Sequence, residues 1–199
     1  TKLDPESLQG INLTKANLQN INLTDANLSG TTLIKAKLTG ANLTNTNLTG
    51  ADLSEANLTN TNLTTAQLIN ANLTNTNFTN AKLISANLTG VDLTDAKLIN
   101  TKLYDSKLND ANLTGTNLTS ANLNRANLTN TTLKKADLTD VKLNRAKLNS
   151  ANLTNANLTN TDLTNANLTG TNLTNANLNS ANLTGSYFEE TKLDPESLQ

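Results

Sequence analysis

The chain has no cysteine, histidine, methionine or tryptophan, and only two tyrosines, two phenylalanines and two prolines among its 199 residues. Without cysteine there are no disulfides and no thiolate metal ligands. Without histidine the commonest general base and metal ligand is missing. The chain also lacks a Gly-rich phosphate loop, and the adjacent carboxylates of Glu189 and Glu190 are typical of a solvated surface. We therefore expect no enzymatic activity, no bound metal and no cofactor.

The charge is nearly balanced, with 15 Lys and Arg residues against 16 Asp and Glu residues and a net charge of −1. Such a balance gives no global field that would attract nucleic acid or an anionic membrane. No apolar run is long enough to span a bilayer, and no signal-peptide pattern occurs. We expect neither nucleic acid nor membrane as a partner, and the cytoplasm is the default location.

A large apolar side chain stands at every fifth position from Leu3 to Leu198. Of these 40 positions, 38 hold Leu, and the other two hold Phe78 and Phe188. A period of five fits neither the 3.6 residues of a helical turn nor the alternation of a strand. It is typical of a solenoid whose sides are five residues long.

Each pentad reads small residue, polar residue, Leu and two further polar residues, as in Ala41-Asn42-Leu43-Thr44-Asn45. From residue 11 to residue 191 the small position holds 21 Ala, 10 Thr, two Ile, two Val and two Ser. Because the small residue and Leu are two apart, locally extended backbone places both on one face, which must be the inside. Replacing an outward Asn by Ala is expected to cost little. The predicted core includes Leu13, Leu53, Phe78, Leu93, Leu143 and Phe188.

This motif resembles that of the pentapeptide-repeat family, commonly written A-(D/N)-L-x-x, over nearly the whole chain. The resemblance implies an all-β fold, a right-handed quadrilateral β-helix with four pentads per coil and about ten coils. The Thr-Gly steps at Gly40, Gly50, Gly90 and Gly170 are interpreted as corners of that coil.

Residues 1–199 are predicted to form a single continuous β-helix with terminal caps at 1–10 and 191–199. The first and last nine residues are identical, and in both copies Asp-Pro, at Asp4-Pro5 and Asp194-Pro195, indicates a single helical or 3₁₀ turn. The spacing of Thr at the small position changes phase near residue 100, which suggests a seam between two duplicated or fused units there. We expect a monomer or weak end-to-end or dimeric association.

Two surface clusters are candidates for binding. Four pentads per coil would place Ile84 and Tyr104 on one face, flanked by Lys82 and Lys102, with Ile99 around the corner. A mildly basic band is interrupted by Asp137 and Asp140 and contains no aromatic residue. Its cations are Lys134, Lys135, Lys142, Arg145 and Lys147. Scattered apolar surface residues explain the first cluster better than a contact patch does, and the second cluster does not favour nucleic-acid binding.

The leading hypothesis is a non-enzymatic scaffold or protein-interaction module that presents flat Asn/Thr-rich faces to an unidentified protein. Some members of the family imitate B-DNA and bind DNA gyrase, which makes a gyrase-binding role the first alternative. The balanced charge speaks against it, since DNA mimicry needs carboxylates in place of phosphates. A second alternative is an ice-binding solenoid, because Thr39, Thr59, Thr79, Thr119, Thr139 and Thr159 form one outward column interrupted by Ile99.

Overall fold

The backbone winds into a solenoid in which each coil takes 20 residues. The computed structural model describes residues 8–194. In that range residues 20 apart pair through single-residue parallel bridges, from Asn12 with Thr32 to Asn172 with Lys192, at every fifth residue without a change of register. The 20-residue step confirms four pentads per coil. Across these residues no strand extends beyond one bridge residue, and no helix has the length and hydrophobicity to cross a membrane.

The four sides of the coil are numbered here by their first described pentads. Side 1 contains residues 11–15 and side 2 contains 16–20, while sides 3 and 4 contain 21–25 and 26–30. Each side then continues in steps of 20 residues, about 4.8 Å apart along the axis. Within a pentad, the first position is the small residue, the second carries the bridge, the third is Leu, and the fourth and fifth form the corner.

The corners have one backbone conformation throughout. Every fifth-position residue from 10 to 190 has a positive φ, between 54° and 71°. The first-position amide of the next pentad donates to the Leu carbonyl three residues earlier, as from Ala151 to Leu148 at 2.9 Å. A positive φ at the third residue of a four-residue turn is typical of type II. Gly, Asn and Asp fill 25 of these 37 corners, since they tolerate this region best. The predicted corner glycines are confirmed.

The core is a column of Leu and small side chains along the inside of the coil. Leu53, Phe78, Leu93 and Leu143 have no exposed surface, as predicted. Leu13 and Phe188 are only partly buried, because they belong to the outer described coils and lack a covering coil on one side. For these two residues the prediction of a fully buried position was too strong.

Nine of the ten threonines at the small position are buried, Thr191 is partly buried, and their hydroxyls bond to the backbone. Thr116 Oγ1 donates to the carbonyl of Leu93 at 2.9 Å, and Thr171 repeats the contact with Leu148 at 2.8 Å. Among residues 8–194, no buried side-chain nitrogen or oxygen lacks a hydrogen-bond partner. The change in Thr spacing near residue 100 leaves the bridge register unaltered. The seam between two units therefore stays a prediction.

The predicted caps fall largely outside the described residues, because Asp4-Pro5 and Pro195 lie beyond 8–194. Thr191 and Lys192 continue the repeat, and Lys192 bridges to Asn172. Asp194 differs from an ordinary fourth-position residue. Its carboxylate, rather than its backbone carbonyl, accepts the amide proton of Asn175 at 2.6 Å.

Thr65 is the one β-branched residue at a corner, with a φ of 59°. A β-branched side chain is strongly disfavoured in this region, whereas Asn adopts it readily. Thr65→Asn should therefore raise the free energy of unfolding by roughly 0.5–1 kcal/mol, measured by urea titration. The reciprocal change Asn60→Thr, at a corner with the same φ, should lower it by a similar amount. Equal stability of both variants and the parent would contradict the proposed strain.

Candidate functional site

Four of the five amides in a pentad bind backbone carbonyls, and the fourth-position amide does not. In residues 151–155 the amides of Ala151, Asn152, Leu153 and Asn155 reach carbonyls at 2.8–3.0 Å. The amide of Thr154 donates instead to Oδ1 of Asn152 at 3.1 Å. Thr154 Oγ1 donates to the same oxygen at 2.7 Å. The outward Asn and Thr thus complete the hydrogen bonding of the repeat.

The same contact occurs at all 25 second positions between residues 12 and 192 that hold Asn or Asp. Their side-chain oxygens accept the amide two residues later, an Asx-turn arrangement. Each of these 25 bonds joins a fourth-position backbone amide to the Asn or Asp side-chain oxygen of the same pentad. The expectation that outward Asn is replaceable at little cost is therefore wrong at the second position, because each Asn pairs a backbone donor.

Thr occurs at the fourth position mainly where Asn or Asp occupies the second position of the same pentad. Of the 25 pentads with Asn or Asp at the second position, 20 have Thr at the fourth position. Of the 12 pentads without it, only the one with Thr39 does. The four outward Ile residues and Tyr104 all fall in these 12 pentads. Within residues 8–194, the fourth-position amide has no protein acceptor in 11 of these 12 pentads, the exception being Asn144, and such positions mark a candidate functional surface.

These exchanges concentrate on sides 3 and 4 in the middle of the rod. Seven exposed cations lie there, and we call them the cationic patch: Lys82, Lys102, Lys107, Arg125, Lys142, Arg145 and Lys147. The bridges of Lys102 to Lys82 and to Asn122 align the Lys column of side 3. The patch spans three coil steps, about 14 Å along the axis.

The charge around the rod is uneven at this level. Between residues 81 and 150, sides 3 and 4 carry the seven cations and two carboxylates, Asp105 and Asp110, which gives +5. Sides 1 and 2 over the same length carry three lysines and four aspartates, which gives −1. A local potential therefore exists on a chain whose net charge is close to zero.

Few of the patch cations are neutralised within the protein. In residues 8–194, ion pairs within 4.0 Å join only Lys35 to Glu55 and Arg125 to Asp105. The second pair is bidentate, with Arg125 Nε donating to Asp105 Oδ1 at 2.7 Å. The hydrogen bond from Arg125 lowers the pKa of Asp105, and the same contact raises the pKa of Arg125. The remaining six cations are open to an external anion.

The five cations of the predicted basic band lie on different sides of the coil. Lys134 and Lys135 belong to side 1, while Asp137 and Asp140 belong to side 2. Lys142 and Arg145 lie on side 3, which begins directly after the Asp140 corner, and Lys147 lies on side 4. The two carboxylates therefore lie between the cations of side 1 and those of sides 3 and 4, and the cations face different directions because the chain turns a corner every five residues.

The predicted contact patch lies partly within the cationic patch. Ile84 and Tyr104 occupy one outward column of side 3 in adjacent coils, beside the bridged Lys82 and Lys102. Ile99 lies on side 2, around the corner. Ile84, Ile99 and Tyr104 are half-buried, so the surface is more cationic than apolar. Whether these five residues contact a partner stays a prediction.

The sequence interpretation missed Arg125 and Lys107. Arg125 lies one coil below Arg145, and these are the only two arginines in the chain. Their 20-residue spacing was a usable signal once four pentads per coil was assumed. Among the described residues, no group of three or more Asp or Glu side chains could hold a metal ion.

Comparisons with known proteins agree with the repeat. The family model described as pentapeptide repeats (8 copies) matches residues 7–45, 36–75, 136–175 and 151–190, and a pentapeptide repeat region model matches 61–138. A comparison with curated protein sequences gives no match.

Solved structures of pentapeptide-repeat proteins are also similar. HetL, involved in heterocyst differentiation regulation in the cyanobacterium Nostoc, is 33% identical, with 94% of this chain and 89% of that chain covered and a TM-score of 0.48. QnrB1, a plasmid-mediated fluoroquinolone resistance protein, is 18% identical, with 95% and 90% covered and a TM-score of 0.63, which shows a shared fold alone. Rfr23 from the cyanobacterium Cyanothece is 36% identical over 52% of this chain and 64% of its own, with a TM-score of 0.37.

Replacing Asn152 by Ala removes the acceptor of both the Thr154 amide and the Thr154 hydroxyl. We expect the free energy of unfolding to fall by about 1 kcal/mol, the usual cost of a lost intramolecular hydrogen bond. Lys97→Ala is the matched control, since Lys97 occupies the same pentad position and accepts no such bond. Its effect should stay within about 0.5 kcal/mol. Equal losses in urea titrations of the two variants would contradict the role assigned to Asn152.

Proposed function

The chain belongs to the pentapeptide-repeat family, and we propose that it is a non-enzymatic interaction module that binds an acidic protein surface through the cationic patch. The observation that carries this proposal is the local charge of +5 on sides 3 and 4. There, other residues replace the Asn-Leu-Thr pattern, whose Asn and Thr side chains form hydrogen bonds within the protein. The proposal takes the solenoid to be right-handed, the usual hand of parallel connections, with about ten coils over the full 199 residues.

The patch is suited to a rigid partner surface. Its cations project from a backbone fixed by bridges in both axial directions, so their spacing is preset rather than formed on binding. Lys82 and Lys102 lie one coil apart, about 4.8 Å, which is the spacing of strands in a sheet, whereas Lys107 and Lys147 lie two coils apart, about 9.6 Å. Charges at such spacing favour a partner with several carboxylates in a row, and they increase the association rate at low salt.

The surface also weighs against the alternative functions. A protein that mimics B-DNA needs rows of carboxylates, whereas the middle of this rod is cationic on two of its sides. The Thr column of side 2 is suited poorly to ice, because Thr59, Thr79 and Thr119 donate their hydroxyl protons to Asn within the protein. Neither alternative gains support from a specific contact.

Binding of a fluorescent 20-residue polyglutamate peptide tests the proposal. The triple variant Lys82→Glu, Lys102→Glu and Lys142→Glu should bind the peptide at least tenfold more weakly than the parent, because it reverses the charge of the patch. Fluorescence anisotropy at low ionic strength, about 50 mM salt, gives the dissociation constants.

The matched control is Lys97→Glu, Lys134→Glu and Lys135→Glu, which changes the net charge equally on sides 1 and 2. It should weaken binding less than threefold. Equal losses in the two triple variants, or no saturable binding by the parent, would overturn the proposal. Tighter binding of a short DNA duplex than of the peptide would also overturn it, in favour of nucleic acid.

A further inference from the structure

A cleft of about 250 Å³ opens within the cationic patch, where the large side chain of Tyr104 is followed by smaller ones in the next two coils. Its lining comes from side 3 and the adjoining corner. The lining residues are Tyr104, Asn122, Asn124, Arg125, Asn144 and Arg145. The cleft therefore contains both arginines of the chain and one of its two tyrosines.

The two arginines differ in what they bind. Arg125 is held by the Asp105 carboxylate one coil below, through both its Nε and a terminal nitrogen. Arg145 occupies the same corner one coil above Arg125, and within residues 8–194 no carboxylate lies within 4.0 Å of it. Its guanidinium can form two parallel hydrogen bonds to an external oxyanion, which a lysine cannot.

Two of the three asparagines in the cleft use their side-chain oxygens to accept backbone amide protons. Asn122 Oδ1 accepts the amide of Asn124 at 3.1 Å, and Asn124 Oδ1 accepts the amide of Asn144 at 3.0 Å. Each side-chain amide carries one acceptor oxygen and one NH₂ donor. With the oxygens of Asn122 and Asn124 engaged, their NH₂ groups remain as donors beside Arg145. In the described part of the chain neither NH₂ group donates to a protein acceptor.

We infer that this cleft binds a single oxyanion, the carboxylate or phosphate monoester of a partner's side chain, through Arg145 and the amides of Asn122 and Asn124. Its lining supplies several donors, and the side-chain oxygens of Asn122 and Asn124, two of its three asparagines, are engaged by backbone amides, so the cleft favours an acceptor-only group. The ring of Tyr104 forms an adjoining wall. This inference rests on the proposed function, because it names the group that would anchor an acidic partner within the patch.

Titration with sodium phosphate and with sodium acetate tests the site directly. Because the chain has only two arginines, ¹H–¹⁵N spectra contain only two Arg Nε–H signals, which Arg145→Lys assigns. We expect the Arg145 signal to shift saturably with one or both anions, and the Arg125 signal to move by less than half as much. Sodium chloride at matched ionic strength should produce no saturable shift. Linear shifts of both signals, or a saturable shift with chloride, would overturn the inference.

The Arg145→Lys variant separates the cleft from the patch. It keeps the charge of the patch, so polyglutamate binding should change less than threefold, while saturable anion binding should weaken at least tenfold because the bidentate donor is lost. Anion binding in this variant can be followed by Tyr104 fluorescence in a Tyr187→Phe background, since the chain has no tryptophan. Unchanged phosphate and acetate affinity would overturn the cleft assignment. If the parent binds phosphate or acetate but does not bind polyglutamate, the proposed function is wrong and the cleft assignment stands.

The source of the oxyanion is resolved with two peptides of equal charge, one carrying glutamates and one carrying phosphoserine. A larger Arg145 shift with the glutamate peptide assigns a carboxylate, and a larger shift with the phosphoserine peptide assigns a phosphate monoester. A peptide with glutamine in place of both should leave the Arg145 signal unchanged. An equal shift with the glutamine peptide would contradict an anion site.

Discussion

The solenoid depends on the left-handed corner at every fifth residue. All 37 fifth-position residues from 10 to 190 have positive φ, and from Ala16 to Thr191 each following amide closes the corner by donating to the Leu or Phe carbonyl three residues earlier. Four such corners bring the chain back over itself after 20 residues, which sets the bridge register and stacks Leu on Leu. A residue that disfavours this conformation, such as Thr65, therefore destabilises the register of the stacked coils and not only one contact.

At the same corner, the backbone amide of the fourth position has no carbonyl partner. A side chain of the same pentad supplies the acceptor instead. Asn or Asp at the second position accepts the fourth-position amide, and Thr at the fourth position adds its hydroxyl to the same oxygen. A polar surface of this kind is part of the fold and has little capacity left for a partner. Function is therefore expected where the side chain is replaced, as at Lys82 and Lys102, and the cleft lies on the same side of the coil, lined by Tyr104 and Arg145.

Much of the fold could be predicted from the sequence, because the inward pattern repeats without interruption. The Leu column, the buried small residues and the corner glycines follow from periodicity, and four pentads per coil follows from the family resemblance. The site is visible in the sequence only when residues are aligned by the 20-residue coil. Arg125 and Arg145 are 20 residues apart and adjacent in space, whereas Lys135 and Asp137 are neighbours in the chain and lie on different sides. The role of Asn also depended on hydrogen-bond geometry that composition does not contain.

Amide hydrogen exchange measured residue by residue tests the central claim most directly. The fourth-position amides of Thr94 and Thr114 donate to Asp92 and Asn112, at 2.9 and 3.2 Å. Within residues 8–194, those of Ile84 and Tyr104 donate to no protein acceptor. The amides of Ile84 and Tyr104 should exchange at least tenfold faster than those of Thr94 and Thr114, while the Leu amides of the same pentads stay equally protected. Equal exchange at all four fourth positions would contradict the account.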